Sequence, residues 1–200
     1  MARDDAYVER YSRQLILAEI GPRGQERLAA ARVAIPARGA AAEHVIAYLA
    51  AAGVGTLAIA PEQRALVDPD QPGIQVKTLP RHERDDARVG FDAVLVDADA
   101  AGDVVRARRR FWIADGRAAE TPPCHDCAAA ALGAPAAAPD TLAPLRDALL
   151  GTVVATEIVK AILDVGAPLT GRVLTYDATT ATVTTTPVAA RPACPRCAAA

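Results

Sequence analysis

Four cysteines in two Cys-x-x-Cys pairs, Cys124/Cys127 and Cys194/Cys197, account for all the cysteine of this 200-residue chain. Each pair places two sulfur atoms on one tight turn, and two such turns together supply the tetrahedral shell of a closed structural Zn2+ site. The spacing therefore predicts one zinc ion held by four thiolates, with no open position for catalysis. The alternative is two redox or disulfide pairs. No secretory segment opens the sequence, however, and neither pair follows a strand in the manner of thioredoxin.

Composition narrows the class of protein. The chain is 52% hydrophobic but only 4% aromatic, with a net charge of −2, which predicts one domain whose core is built from small side chains. This balance lacks the basic field that nucleic acid binding needs. We interpret the cluster Arg106, Arg108, Arg109 and Arg110 as a solvated helix end, with an anion site as the alternative. No apolar run is long enough to span a membrane, and we expect a cytoplasmic protein.

The first half of the sequence has the pattern of a parallel α/β sheet. A strand, a helix ended by Gly53 and a second strand follow one another within about thirty residues, which is the length of a βαβ unit. A proline-rich loop over residues 61–72 comes next. The predicted helices cover residues 7–18, 25–30 and 40–52, and the predicted strands cover residues 33–35, 56–60, 74–79 and 93–96.

The second half is predicted to hold a helix end, a linker, a long helix and a hairpin. The arginine cluster up to Phe111 is predicted to end a helix. Residues 116–139 are predicted to be a linker that is held by the metal more than by hydrogen bonds. Pro144 begins a helix that runs through Leu163, with Gly166 as its stop. Its predicted core face contains Leu145, Leu149, Val153, Ile158 and Ile162. Residues 172–176 and 182–186 alternate as a hairpin.

Several segments, in order along nearly the whole chain, closely resemble the ThiF/MoeB/HesA family of ubiquitin-activating-type adenylyltransferases. The most specific of them are the Arg-Tyr-x-Arg-Gln opening and the paired cysteines. The matching segments are Arg10-Tyr11-Ser12-Arg13-Gln14-Leu15, Gly24-Gln25, Leu28, Arg32-Val33, residues 50–55, residues 94–99, residues 143–160, residues 171–177 and both cysteine pairs.

The resemblance implies a Rossmann-like, mostly parallel sheet flanked by helices, with a C-terminal hairpin and a four-cysteine zinc site. We accordingly treat residues 1–200 as one domain, divided into N-terminal helices (1–30), a Rossmann-like core (31–115), a zinc-turn linker (116–141) and a C-terminal part (142–200). Members of this family use ATP and Mg2+ to adenylate the C-terminal glycine of a ubiquitin-like or sulfur-carrier protein, and they commonly form homodimers.

Three residues match nucleotide-site positions of the family. Arg13 matches an arginine that reaches the triphosphate, often across the dimer; Gly39 matches a phosphate-loop glycine; and Asp99 matches the magnesium carboxylate. Each of the two charged residues has an ordinary alternative, because Arg13 can pair with Glu9 on the surface and Asp99 can cap a helix beginning near residue 102.

Other parts of the family's machinery are missing from the sequence. Three of the four phosphate-loop glycines are replaced by Ala37, Ala40 and Ala42, and the acid that would bind the ribose is replaced by Ala60, with Glu62 as a possible substitute two residues on. The stretch after the first cysteine pair offers no nucleophilic cysteine. His125 lies between two metal-site cysteines and is interpreted as solvent-facing.

Two functions follow from this comparison of residues. The first is a zinc-binding, catalytically degenerate family member that acts as a scaffold or binding module for a partner protein. The second is an active ATP-dependent adenylyltransferase that uses Arg13, Gly39, Asp99 and Mg2+ on a ubiquitin-like carrier protein or peptide. In both cases we expect a homodimer, with an interface at residues 7–17 or at the helical face near residues 45–49.

Overall fold

The computed structural model describes residues 5–71, 73–79, 90–98, 107–134 and 140–198. Six α-helices and eight strands are found in these ranges, with two short 3-10 helices over Pro61–Leu66 and Asp140–Leu142. The α-helices are α1 (Asp5–Leu15), α2 (Gly21–Ala30), α3 (Gly39–Ala52), α4 (His125–Leu132), α5 (Ala143–Leu163) and α6 (Pro195–Ala198). The strands are β1 (Arg32–Ile35), β2 (Thr56–Ile59), β3 (Gln75–Thr78), β4 (Phe91–Asp97), β5 (Ala107–Ala114), β6 (Arg117–Glu120), β7 (Arg172–Asp177) and β8 (Thr182–Pro187).

All eight strands form one sheet in the order β3-β2-β1-β4-β5-β6-β7-β8. The first five strands run parallel to one another, and β6, β7 and β8 continue the sheet by antiparallel pairing. The strand order reverses between β1 and β4, so their carboxyl ends flank the crevice where ligands bind in open α/β sheets.

Helices α3 and α5 cover one face of this sheet. Val45, Ile46 and Leu49 of α3 and Leu150 and Ile158 of α5 are buried in the same core as the apolar residues of β1, β2 and β4. The two helices approach closely because Gly151 has no side chain: a Cβ there would lie 2.3 Å from the carbonyl oxygen of Ala41.

The N-terminal helices hold the end of α3. Gly53 ends α3 with a φ of 86°, a conformation that favours glycine. The side-chain amide of Gln25 donates to the carbonyl of Ala52, and the ring of Tyr11 packs so closely that a Cβ on Gly53 would lie 2.8 Å from it. The Arg-Tyr-x-Arg-Gln and Gly-Gln segments therefore have a structural role that does not depend on a nucleotide.

The second face of the sheet is covered by the segment around the cysteines. Val94 and Val96 of β4 and Trp112 of β5 form its core together with Ala128 of α4 and Val188, which follows β8. The connection between β4 and β5 is residues 98–106, which is shorter than the dozen or so residues of a usual parallel crossover. Helix α4 packs on this face.

The predicted fold class is confirmed, while four local predictions are wrong. Residues 107–114 are strand β5, not the end of a helix, because neighbours on both sides pair with it. The supposed linker contains β6 and α4. Asp164, at φ 59°, ends α5 in place of Gly166. Leu145 and Leu149 are exposed, and the buried stripe of α5 instead follows Leu150 and Ile158.

The charged side chains of β5 are held by partners that no local pattern reveals. Arg109 lies 2.9 Å from the buried carboxylate of Glu120 and 3.8 Å from Asp164, while Arg108 lies 4.0 Å from Asp92. Among the described residues, no helix combines the length and apolar character needed to cross a bilayer.

Gly151→Ala tests the approach of α3 and α5. Alanine usually stabilises a helix interior by about 1 kcal/mol relative to glycine. Here the added Cβ would meet both the Ala41 carbonyl and the His44 side chain. We therefore expect a loss of about 1–3 kcal/mol in the free energy of unfolding, measured by urea denaturation followed by circular dichroism. Thr156→Ala, on an exposed position of the same helix, should change it by about 0.5 kcal/mol or less. Unchanged or increased stability of Gly151→Ala would contradict the close packing.

Candidate functional site

The four cysteines meet in one cluster, as their spacing predicts. Their Sγ atoms all lie within 4.8 Å of one another. The Sγ atoms of Cys124 and Cys194 are 3.7 Å apart, and those of Cys127 and Cys197 are 3.8 Å apart. A tetrahedral ion with metal–sulfur bonds of about 2.3 Å requires sulfur–sulfur distances of about 3.8 Å, whereas a disulfide would require about 2.05 Å. The geometry therefore fits a four-thiolate metal site and not two disulfides.

Backbone groups hold the two turns against each other. The N–H of Cys124 donates to Sγ of Cys197, and the N–H of Arg191 donates to Sγ of Cys127. Trp112 fixes the first turn from the sheet, because its indole N–H donates to the carbonyl of Pro123 at 2.8 Å. The cluster is thus preformed by β5, α4 and α6.

Without a bound cation, the pKa values of the clustered thiols shift in opposite directions. The backbone N–H of Cys197 lowers the pKa of the Cys194 thiol to about 6. Burial raises the pKa of Cys197 to about 12 and also raises the pKa of Cys124. A divalent ion that binds four thiolates removes the cost of placing their charges together.

A charged residue between the last two cysteines joins the cluster to the sheet. Arg196 lies 3.3 Å from the carboxylate of Asp126 on α4 and donates to the carbonyl of Ala98 at the end of β4. His125 packs its ring edge-on against Trp112, with ring centres 5.3 Å apart, and it is not one of the four clustered ligands. The prediction that His125 only faces solvent is incomplete, since its side chain is about one third exposed.

A second group of predicted site residues lies at the carboxyl ends of β1 and β2. The turn after β1 keeps Gly39 at a φ of 84°, and the methyl groups of Ala37 and Ala42 are completely buried. The backbone N–H of Arg38 donates to the carboxylate of Asp97 at 3.1 Å. One backbone donor of this turn is therefore occupied by a carboxylate of the chain itself.

The end of β2 is also engaged with this turn. Gln63 is buried, and its side-chain oxygen accepts from the N–H of Ala60 at 3.1 Å and from the guanidinium of Arg38 at 3.2 Å. Its side-chain nitrogen donates to the carbonyl of Ala37. Glu62, considered above as a substitute for the ribose acid, lies 3.5 Å from Arg38.

The remaining predicted nucleotide residues are Arg13 and Asp99. Arg13 is exposed in the last turn of α1, and within the described ranges it makes no ion pair, including the one proposed with Glu9. Asp99 lies outside the described residues. Sequence reasoning missed Arg38, Gln63 and Asp97, which come from three separate segments; the only sequence signal was a polar residue shortly after each strand.

Comparison with known proteins covers almost the entire chain. No family model matches it. It is 28% identical to the SAMP-activating enzyme E1 of Haloferax volcanii, over 98% of this chain and 91% of that protein. It is also 28% identical to the sulfur carrier protein adenylyltransferase of Thermus thermophilus, over 95% of this chain and 90% of that protein. A shorter match to mouse adenylyltransferase and sulfurtransferase MOCS3 reaches 51% identity over 59 residues, covering 30% of this chain and 12% of that protein.

Solved structures agree on the fold. The structure of Escherichia coli MccB with ATP covers 94% of this chain, with 74% of its own chain matched, at a TM-score of 0.62 and 17% identity. These matches support a member of the ThiF/MoeB family. The alignment with the Haloferax relative spans 246 positions, more than the 200 residues of this chain, so the relative carries segments that are absent here.

We expect native mass spectrometry of this protein to show one zinc ion per chain. Removing the ion with a chelator should lower the free energy of unfolding, because α4 would no longer be joined to the C-terminal segment on the second face of the sheet. The fluorescence emission of Trp112, the only tryptophan, should change at the same time, since its indole N–H donates to the carbonyl of Pro123, the residue before Cys124.

Cys127→Ser should lose the ion, whereas His125→Ala should keep one ion per chain. A folded, metal-free protein with two disulfides would contradict the assignment.

Proposed function

We propose that this ThiF/MoeB-type protein is a zinc-fastened binding module for a partner protein and that it does not carry out adenylation. One observation carries the proposal: the turn that would receive a nucleotide phosphate is bonded to Asp97 and Gln63 of the same chain. A ligand there would have to displace these bonds and the buried methyl groups of Ala37 and Ala42.

The missing nucleophile supports the same proposal. All four cysteines belong to the sulfur cluster, so a thiolate that attacks an acyl-adenylate would have to be taken from the metal. Loss of the metal would in turn release α4 from the C-terminal segment. Stability and thioester chemistry therefore compete for the same four residues.

The partner class comes from the relatives. One is named for activating SAMP and another for adenylating a sulfur carrier protein, and one MccB structure was solved with the peptide MccA. We propose a ubiquitin-like or sulfur-carrier protein, or the C-terminal peptide of one, as the partner. A reducing compartment such as the cytoplasm would keep the four thiols available for the metal.

The second candidate function is an active ATP-dependent adenylyltransferase. Similarity to two such enzymes over nearly the whole chain favours it. In that case Arg13, Gly39 and Asp99 would contact ATP and Mg2+, and the turn would have to open when the nucleotide binds.

Pyrophosphate exchange separates these functions. We expect no exchange above background when the protein is incubated with Mg-ATP and candidate carrier proteins, because the N–H of Arg38 is bonded to Asp97 and three phosphate-loop glycines are replaced by alanine. The Thermus sulfur carrier protein adenylyltransferase with its carrier provides a positive control. Exchange that is lost in Asp99→Asn would establish the enzyme and overturn the binding-module proposal.

We also propose a homodimer. Val45, Ile46 and Leu49 are buried in the chain's own core, so the interface that the sequence predicted near residues 45–49 is wrong for these three side chains. Large apolar side chains are nevertheless exposed in the N-terminal segment and on the outer sides of α3 and α5, besides Leu66 and Val183 elsewhere. The exposed residues are Val8, Ile16 and Leu17 in the N-terminal segment, and Tyr48, Leu145 and Leu149 on the two helices.

Light scattering should give twice the chain mass of 20.7 kDa. Burial of a large exposed apolar side chain contributes about 1.5–3 kcal/mol, so a charge in the interface should dissociate the dimer. Ile16→Asp tests the N-terminal segment and Leu149→Asp tests α5, and each serves as the control for the other. A wild-type monomer at all accessible concentrations would contradict the dimer.

A further inference from the structure

The carboxyl ends of β1 and β2 are joined by the side chains of Gln63 and Arg38. In Rossmann-type folds an acid at the end of the second strand hydrogen-bonds the ribose, next to the phosphate turn that follows the first strand. Here the residue at that strand end is Ala60, and the space beside it contains Gln63 and Arg38.

We infer that Gln63 and Arg38 form an internal bridge that closes this crevice and excludes nucleosides from it. The bridge is defined by the amide of Gln63, which bonds to Ala60 and Ala37, and by the guanidinium of Arg38, which bonds to Gln63. This inference deepens the proposed function and rests on it, because it identifies which residues keep the nucleotide site closed.

The hydrogen bonds of Gln63 explain why the bridge is hard to displace. Its side chain is about 4% exposed and satisfies a backbone donor on one turn and a backbone acceptor on the other. Moving it would leave the buried N–H of Ala60 and the buried carbonyl of Ala37 without partners. A ribose bound beside Ala60 would meet a methyl group in place of a carboxylate and would not compensate for those losses.

The charge of Arg38 does not make the crevice an anion site. Its guanidinium lies 3.5 Å from Glu62, and its backbone N–H donates to Asp97. The cation is therefore neutralised by Glu62, and Asp97 occupies the donor of the turn. On the other side, Asp97 lies at the end of β4, so the turn after β1 is held from both neighbouring strands.

Adenosine is a suitable probe because it carries the ribose without phosphate charge. Isothermal titration of the wild-type protein and of the double variant Arg38→Ala/Gln63→Ala compares the closed and the opened crevice. We expect the double variant to bind adenosine at least about tenfold more tightly than the wild type. Gln71→Ala is a matched control, because Gln71 is also buried and donates to a backbone carbonyl, that of Ala50, away from the turn. It should leave adenosine binding at the wild-type level.

Equal adenosine binding by the wild type and a folded double variant would overturn the bridge. If the double variant fails to fold, the single variant Arg38→Ala replaces it, since this side chain is 44% exposed. A smaller gain is then expected, and no gain overturns the inference. The proposed function fails on a different result, pyrophosphate exchange by the wild type, so the two failures can be distinguished.

Discussion

The convergence of four sulfur atoms is the constraint on which this structure depends. A sheet with two apolar faces needs cover on both, and α3 with α5 supplies it on one. On the other face, nine residues connect β4 to β5, fewer than a usual parallel crossover contains. Helix α4 contributes cover there, and the sulfur cluster ties α4 to the C-terminal segment that carries Val188. Binding of an ion by these four thiolates would therefore be coupled to folding.

Hydrogen bonds within the chain also hold the carboxyl edge of the sheet. The turn after β1 is bonded to side chains of the same chain, to Asp97 from β4 and to Gln63 from the turn after β2. Arg196 further joins the cysteine cluster to the end of β4 through the carbonyl of Ala98. The edge is thus held by the chain's own groups, which favours stability over ligand exchange.

Local patterns predicted the parts of the fold that local chemistry governs. The βαβ unit with Gly53, the long helix beginning near Pro144 and the hairpin of β7 and β8 lie where the sequence placed them. Strand β5 was missed because consecutive arginines hide its alternation, and their charges are balanced by residues from elsewhere, such as Glu120. Strand β6 was missed because the sequence Arg-Ala-Ala-Glu has little strand propensity, and its pairing with β5 and β7 determines its conformation.

The sequence by itself determined the four-cysteine cluster, because two Cys-x-x-Cys turns specify a set of four thiolates that suits a tetrahedral ion. It also determined what the phosphate turn lacks, since the alanines and the remaining Gly39 can be read directly. Only the tertiary structure decided what fills that turn. Gln63 and Asp97 follow Arg38 by 25 and 59 residues. The three residues meet because of the strand order, which sequence spacing does not encode. Hydrogen bonds between side chains depend on where strands end in space, whereas a metal ligand pair depends only on a turn.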